Sequence, residues 1–241
     1  LWFLWQMDRT STAYHIRQAL RLSGPLDVEA LQASLDGLVA RHESLRTVFR
    51  TGAEGSAEQV LRLVSRVDIS HIDLNGGLPS GREARANEEG DRIISAPFDL
   101  TQGALLRVVL IRLTEDEHIL VMAMHHIISD GASMQVLLDE LAIGYLAHAQ
   151  GKLPQFDLLP IRYADYAEWQ RSWLEAGEKD RQLAYWRDYL GTEHPVLELP
   201  ADHPRRPVAN YQAARHSFVL PPDVLSSLRN LAQRPDGRSA T

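Results

Sequence analysis

The chain has 241 residues, of which 44% are hydrophobic and 24% charged, with no cysteine and a formal net charge of −7. This composition belongs to a soluble globular protein large enough for a genuine core, and it argues against disordered and fibrous classes. The negative balance disfavours nonspecific binding to nucleic acid or anionic membrane, and no apolar run approaches the roughly 18 residues a bilayer span needs. Without cysteine neither a disulfide nor a thiolate metal site is available, and a reducing, cytoplasmic setting is expected. The start, Leu1-Trp2-Phe3-Leu4, lacks an initiator Met, a basic segment and a long apolar stretch, and reads as the middle of a longer protein.

From Tyr14 to Leu22 the residues Tyr14, Ile16, Leu20 and Leu22 alternate with His15, Arg17, Ala19 and Arg21, the period of a half-buried strand. Ser23, Gly24 and Pro25 end it. Asp27 is placed to cap a helix whose Leu31, Leu35, Leu38 and Val39 share one face as far as about His42. Strands are predicted near Arg46 to Arg50 and Gln59 to Val64, then, after a polar stretch, a helix through Ile93 and Ile94 that Pro97 breaks. Ala104 to Leu113 and His118 to Met124 read as a hairpin turning at Thr114 to Glu117. The second of these strands is apolar on both faces, so it should be central.

Met134, Leu137, Leu138, Leu141 and Tyr145 recur at helical spacing from about Ser133 to His148. Aromatic-rich helices are predicted at Tyr163 to Leu174 and Lys179 to Leu190, with Tyr166, Trp169 and Trp173 assigned to core. Pro195, Pro200, Pro204 and Pro207 mark a linker. A strand from Arg215 to Leu220 and a helix from Pro222 to Gln233 complete the chain. The expected fold is α/β, a largely sequential mixed sheet with flanking helices.

The segment His125-His126-Ile127-Ile128-Ser129-Asp130-Gly131 lies where a buried strand ends and a helix begins. Loops at strand ends are held by a rigid sheet, and a helix N-terminus offers backbone donors. An imidazole there suits general-base work because its ordinary pKa of about 6.5 lies near neutrality. Gly131 lets backbone approach closely and offers an amide to a developing oxyanion. Adjacent strand residues point to opposite faces, so only one of His125 and His126 can face a given cleft. Three readings stay open on spacing alone: two satisfied structural histidines beside a turn, a catalytic imidazole, or a metal site with Asp130, the last weakened because adjacent strand histidines diverge.

The same segment resembles the HHxxxDG signature of condensation domains of nonribosomal peptide synthetases, which share the chloramphenicol acetyltransferase fold. Three further segments resemble the family's motifs in order: Leu1-Trp2-Phe3-Leu4, Arg41-His42-Glu43-Ser44-Leu45-Arg46-Thr47-Val48-Phe49, and Tyr163-Ala164-Asp165-Tyr166-Ala167-Glu168-Trp169. Read alone, Arg41 and His42 are simply the basic end of a helix.

The resemblance implies a lobe of a two-lobed domain, with residues 1–176 as the N-terminal lobe and 177–241 as connecting helix, proline-rich linker and the start of a truncated second lobe. It implies amide bond formation between a donor thioester and an acceptor α-amine, both carried on phosphopantetheine arms of upstream and downstream peptidyl carrier proteins beside an adenylation domain. This is the chemistry of antibiotic and siderophore assembly. No metal, bound cofactor, nucleic acid or membrane is implied, and the piece alone is expected to be inactive. His126 is assigned to the amine, His125 to packing, Asp130 to a structural ion pair, and Gly131 to the oxyanion. Arg41 or Arg46 would supply the partner of Asp130.

The combination of Leu1-Trp2-Phe3-Leu4 with Asp130-Gly131-Ala132-Ser133 resembles domains that take an L-configured donor; Met134 departs from the epimerization pattern, and the histidines depart from the cyclization pattern. A coenzyme A-dependent acyltransferase of the same fold and a non-catalytic docking lobe are the rivals.

Overall fold

The computed structural model describes residues 1–63, 66–76, 80–194, 200 and 218–232. In chain order they form α1 (Trp2–Met7), β1 (His15–Ser23), α2 (Val28–Arg41), a 3₁₀ turn (Glu43–Arg46), β2 (Thr47–Thr51), β3 (Ala57–Leu61), β4 (Ile69–Asp73), α3 (Arg82–Ile94), β5 (Leu106–Arg112), β6 (Glu117–His125), α4 (Gly131–Ala149), α5 (Tyr163–Trp173), α6 (Lys179–Leu190) and α7 (Pro222–Ala232). Asp27 caps α2 as its sequence position predicts, its carboxylate accepting the Ala30 N–H.

The main sheet has the order β1-β6-β5-β4. Strands β5 and β6 form the predicted antiparallel hairpin, while β4 runs parallel to β5 and reaches it through α3. Strand β1 pairs antiparallel with β6, His15 opposite His125 and Ser23 opposite Glu117. The sheet is therefore mixed, as expected, and two of its three pairings join consecutive strands; the exception is the first strand, β1, which docks against the last, β6. Strands β2 and β3 pair with each other in a separate two-stranded hairpin. Helix α1 and the short strand β4 have no counterpart among the predicted elements.

The apolar run of β6 explains its central place. Leu120, Met122, Ala123 and Met124 are 0–1% exposed, each large side chain worth about 1.5–3 kcal/mol relative to exposure. Alternation sends odd- and even-numbered residues of β6 to opposite faces. Helix α3 lies on the odd face, where Gly90 sits against Ile111 and Val121. Helix α4 lies on the even face, lining a groove with Leu120 through Leu138, Leu141 and Tyr145. Helices α2 and α4 approach closely at Gly144, where an added Cβ would stand 3.3 Å from Ser34 Cβ and Oγ.

The chain divides into two compact units, Leu1–Tyr185 and Trp186–Thr241, the division falling within α6. In the first unit α5 contradicts its predicted burial. Tyr166, Trp169 and Trp173 are 38%, 56% and 42% exposed, and α5 has no buried residue. Their rings form a ladder that begins at Tyr163, with Trp169 and Trp173 stacked at 5.7 Å. Helical spacing shows that the rings share a face, but not what covers it. After α5 the helix widens over Leu174–Glu178, where Gly177 adopts φ 110°, a conformation glycine accepts without strain. In the second unit α7 is amphipathic, with Val224, Leu225, Leu228 and Leu231 exposed. Most of the predicted proline linker lies outside the described residues, as do Arg215 to Ser217 of the predicted last strand; Phe218 to Leu220 form no strand.

Candidate functional site

Two backbone bonds carry β6 to its last residue. The His125 N–H reaches the Leu105 carbonyl at 3.1 Å, and on the other side the His126 N–H reaches the Tyr14 carbonyl at 2.8 Å. The Ile128 N–H then bonds the His125 carbonyl at 3.1 Å, turning the chain toward α4.

His125 falls on the α3 face and is 3% exposed, its ring set edge-on to His15 at 6.1 Å and Phe98 at 6.3 Å. Its Nδ1 accepts the Ile127 N–H at 3.1 Å. Burial, then the neighbouring His15 and His126, push its pKa down to about 4. The ring is neutral at pH 7, and an acceptor Nδ1 places the proton on Nε2. His15 is likewise pushed down to about 4, by burial first and then by Arg17. Both its ring nitrogens are buried without a full hydrogen bond, and the nearby Ile94 carbonyl offsets only part of that cost. Sequence reading missed His15 because only strand pairing sets it opposite His125.

His126 points the other way. It is exposed and lines a cleft of about 420 Å³ with Ser44, Thr47, Gln59, Ser129 and Tyr163, a volume in the range of small-ligand sites. One histidine thus belongs to the core and the other to the cleft. The buried Ser129 hydroxyl has no partner among the described residues, and Ser129 lines this same cleft.

Among the described residues Asp130 forms no ion pair with arginine. It is the N-cap of α4, its Oδ1 accepting the Ser133 N–H at 2.8 Å and the Ser133 hydroxyl at 2.6 Å. The Ser133 hydroxyl, then the Ser133 amide, hold its carboxyl below the usual range, and nearby His126 adds to this. The expected ion pair fails because a short carboxylate at a helix start meets local backbone donors first. Gly131 opens α4, and an added Cβ there would meet nothing within 4 Å among the described residues.

The arginines expected beside Asp130 have other partners. Arg41 Nε lies 3.2 and 3.1 Å from the two carboxylate oxygens of Glu140 on α4, and His42 Nε2 lies 2.6 Å from the second. Arg41 also stacks over Phe156. Arg46 donates to Glu43 at 3.3 Å, and Glu43 accepts from Arg162 at 2.7 Å. The segment 41–49 therefore clamps the cleft from two sides: through Glu140 it fixes α4, and through Arg162 it fixes the residue before Tyr163. Both arginines are engaged by glutamates, Arg41 by Glu140 and Arg46 by Glu43, that sequence spacing did not reveal.

Among the described residues no group of three or more His, Asp or Glu side chains is placed to hold a metal ion, and no helix is long and apolar enough to cross a membrane.

Comparison with known proteins bears on this site. The family model described as Condensation domain matches residues 1–237. A linear gramicidin synthase protein of Brevibacillus parabrevis is 40% identical over 233 residues, which is 97% of this chain and 3% of that protein. Malpibaldin synthetase of Mortierella alpina is 41% identical over 234 residues, 97% of this chain and 4% of that protein. Among solved structures, the X-domain from teicoplanin biosynthesis superposes with a TM-score of 0.70 at 33% identity, covering 83% of this chain and 43% of that one. The first condensation domain of the calcium-dependent antibiotic synthetase, in complex with a substrate analogue, gives 0.67 at 26% identity, covering 78% of this chain and 44% of that one. The chain thus spans a few per cent of these synthetases and under half of the solved chains. With the HHxxxDG loop at the end of the central strand and a family match over nearly its whole length, the chain belongs to the condensation domain family.

Proposed function

We propose that this chain is the His-bearing lobe of a domain that forms an amide bond between a donor aminoacyl or peptidyl thioester and the α-amine of an acceptor, each on the phosphopantetheine arm of a carrier protein. The observation that carries the reading is the exposed His126 on a cleft of about 420 Å³, held at the end of the most deeply buried strand. The amine attacks the thioester carbonyl, His126 accepts or orients the amine proton, and the thiol of the donor arm leaves. His125 stays neutral within the core and anchors the loop; Asp130 starts α4, whose N-terminus and Gly131 amide favour a developing negative charge. A placed amine needs no acyl-enzyme and no bound cofactor.

On this reading residues 1–176 are the N-terminal lobe and 177–241 lead toward a second lobe. The donor is L-configured, and the partners are upstream and downstream peptidyl carrier proteins with a neighbouring adenylation domain in a cytoplasmic synthetase. Non-catalytic docking is the rival, supported by the complex of the teicoplanin X-domain with OxyB and by the exposed aromatic ladder on α5. His126→Ala in the complete domain, assayed with loaded carrier proteins, separates the two. The expected loss is about 10² to 10⁴ in rate with unchanged melting, since the side chain is exposed. Wild-type turnover by the variant overturns the catalytic reading.

A further inference from the structure

A second cavity, of about 600 Å³, opens between the end of α2, the end of β3, the start of β4 and the loop before β5. It shares no residue with the His126 cleft. Arg46, Arg62, Arg66 and Arg107 line it, against a single carboxylate, Asp68. In a chain of net charge −7 this concentration of one sign is out of keeping with the composition.

Three of the four charges also lack a carboxylate partner among the described residues. Among the described residues Arg62, Arg66 and Arg107 form no ion pair. Arg107 is held by neutral acceptors alone, the carbonyls of Ile93, Ala96 and Pro97 at 3.3, 2.7 and 3.1 Å, and lies over the Phe98 ring. Its burial pushes its pKa down, the mark of a charge removed from water without a counter-charge. Arg62 likewise donates to the Gln102 carbonyl. Arg46 is paired with Glu43 at 3.3 Å, but its Nε is buried with no partner among the described residues. The floor is apolar, from Val39, Leu45, Val67 and Leu106, each under 10% exposed.

Guanidinium forks match the oxygens of phosphate and carboxylate groups, and the apolar floor suits the remainder of an organic molecule. We propose that this cavity binds a small organic anion, a phosphate ester or carboxylate carrying an apolar group, at a site separate from the His126 cleft.

The test is calorimetric titration of the 241-residue chain with hexyl phosphate, hexanoate, inorganic phosphate and hexanol. At least one of the two amphiphilic anions should bind, more tightly than inorganic phosphate and with an affinity that falls as salt rises; comparison of the two identifies the head group. Hexanol should not bind measurably. Arg62→Gln with Arg66→Gln, both exposed side chains, should weaken binding roughly tenfold or more while melting is unchanged, and His126→Ala should leave it intact. Amide shift mapping on the unaltered chain provides a check independent of any variant, with changes expected at Val67, Leu106 and Arg107. Failure of both anions to bind, equal binding by the double variant, equal binding of hexanol, or shifts confined to the His126 cleft would each overturn the proposal.

Discussion

Replacing Glu140 by Ala tests where the ionic support of the site resides. Glu140 is 13% exposed in its side chain, Arg41 19% and His42 20%, and the three make contacts of 3.2, 3.1 and 2.6 Å between α2 and α4. Removing the shared carboxylate leaves the partly buried Arg41 charge stacked on Phe156 without its counter-charge. Breaking a buried pair in this way costs about 3–5 kcal/mol, and the partial exposure places the expectation at the lower end, about 3 kcal/mol. Asp130→Asn removes a charge from the loop itself but leaves an amide oxygen to accept the Ser133 N–H, and Asn caps helices about as well as Asp. The loss is then confined to the charge–dipole part, about 0.3–1 kcal/mol. With an m-value of about 2 kcal/mol/M in urea, the midpoint should fall by about 1.5 M for Glu140→Ala and by at most about 0.5 M for Asp130→Asn. Urea denaturation followed by circular dichroism measures both. Equal losses, or a larger loss in Asp130→Asn, would show that the loop carboxylate carries the ionic support and that the clamp through Glu140 does not.

The pair His15 and His125 makes the fold acid-sensitive. Unfolded, each ring takes a proton as pH falls below about 6.5, whereas the folded rings do so only near 4; between these values the unfolded chain holds more protons, so stability falls as pH falls, by up to about 1.4 kcal/mol per pH unit per ring. Urea midpoints at pH 7 and 5.5 should show this decline, and His15→Gln should reduce it; an identical slope in the variant refutes the assignment. Gly144→Leu should push α2 from α4, since even a Cβ there stands 3.3 Å from Ser34, costing about 1–3 kcal/mol; an unchanged melting temperature would contradict that packing.

The loop His125 to Gly131 was legible because its signal is local. A doubly apolar strand followed by a helical repeat from Met134 to Tyr145 locates a strand-to-helix turn, and alternation across the strand end allows only one of two adjacent histidines to reach a cleft. Which histidine does so depends on the face of the sheet that each helix covers, and that is a tertiary property. It took the pairing of β1 with β6, and α3 on the odd face, to bury His125 beside His15 and turn His126 outward. The same limit explains the ion pair. The sequence shows that Arg41, Arg46 and Asp130 carry charge, but each finds the partner its backbone brings near: Ser133 three residues along for Asp130, Glu43 three residues back for Arg46, and for Arg41 a glutamate on another helix that approaches only because Gly144 lets α2 and α4 close on each other. Periodicity likewise put Tyr166, Trp169 and Trp173 on one face of α5 but could not say whether that face is covered. Local rules of φ, ψ and period set most of the elements and the strand-to-helix turn; neighbours distant in sequence, brought together by burial of the sheet, decided the burial of His125 against His15 and the partner of Arg41.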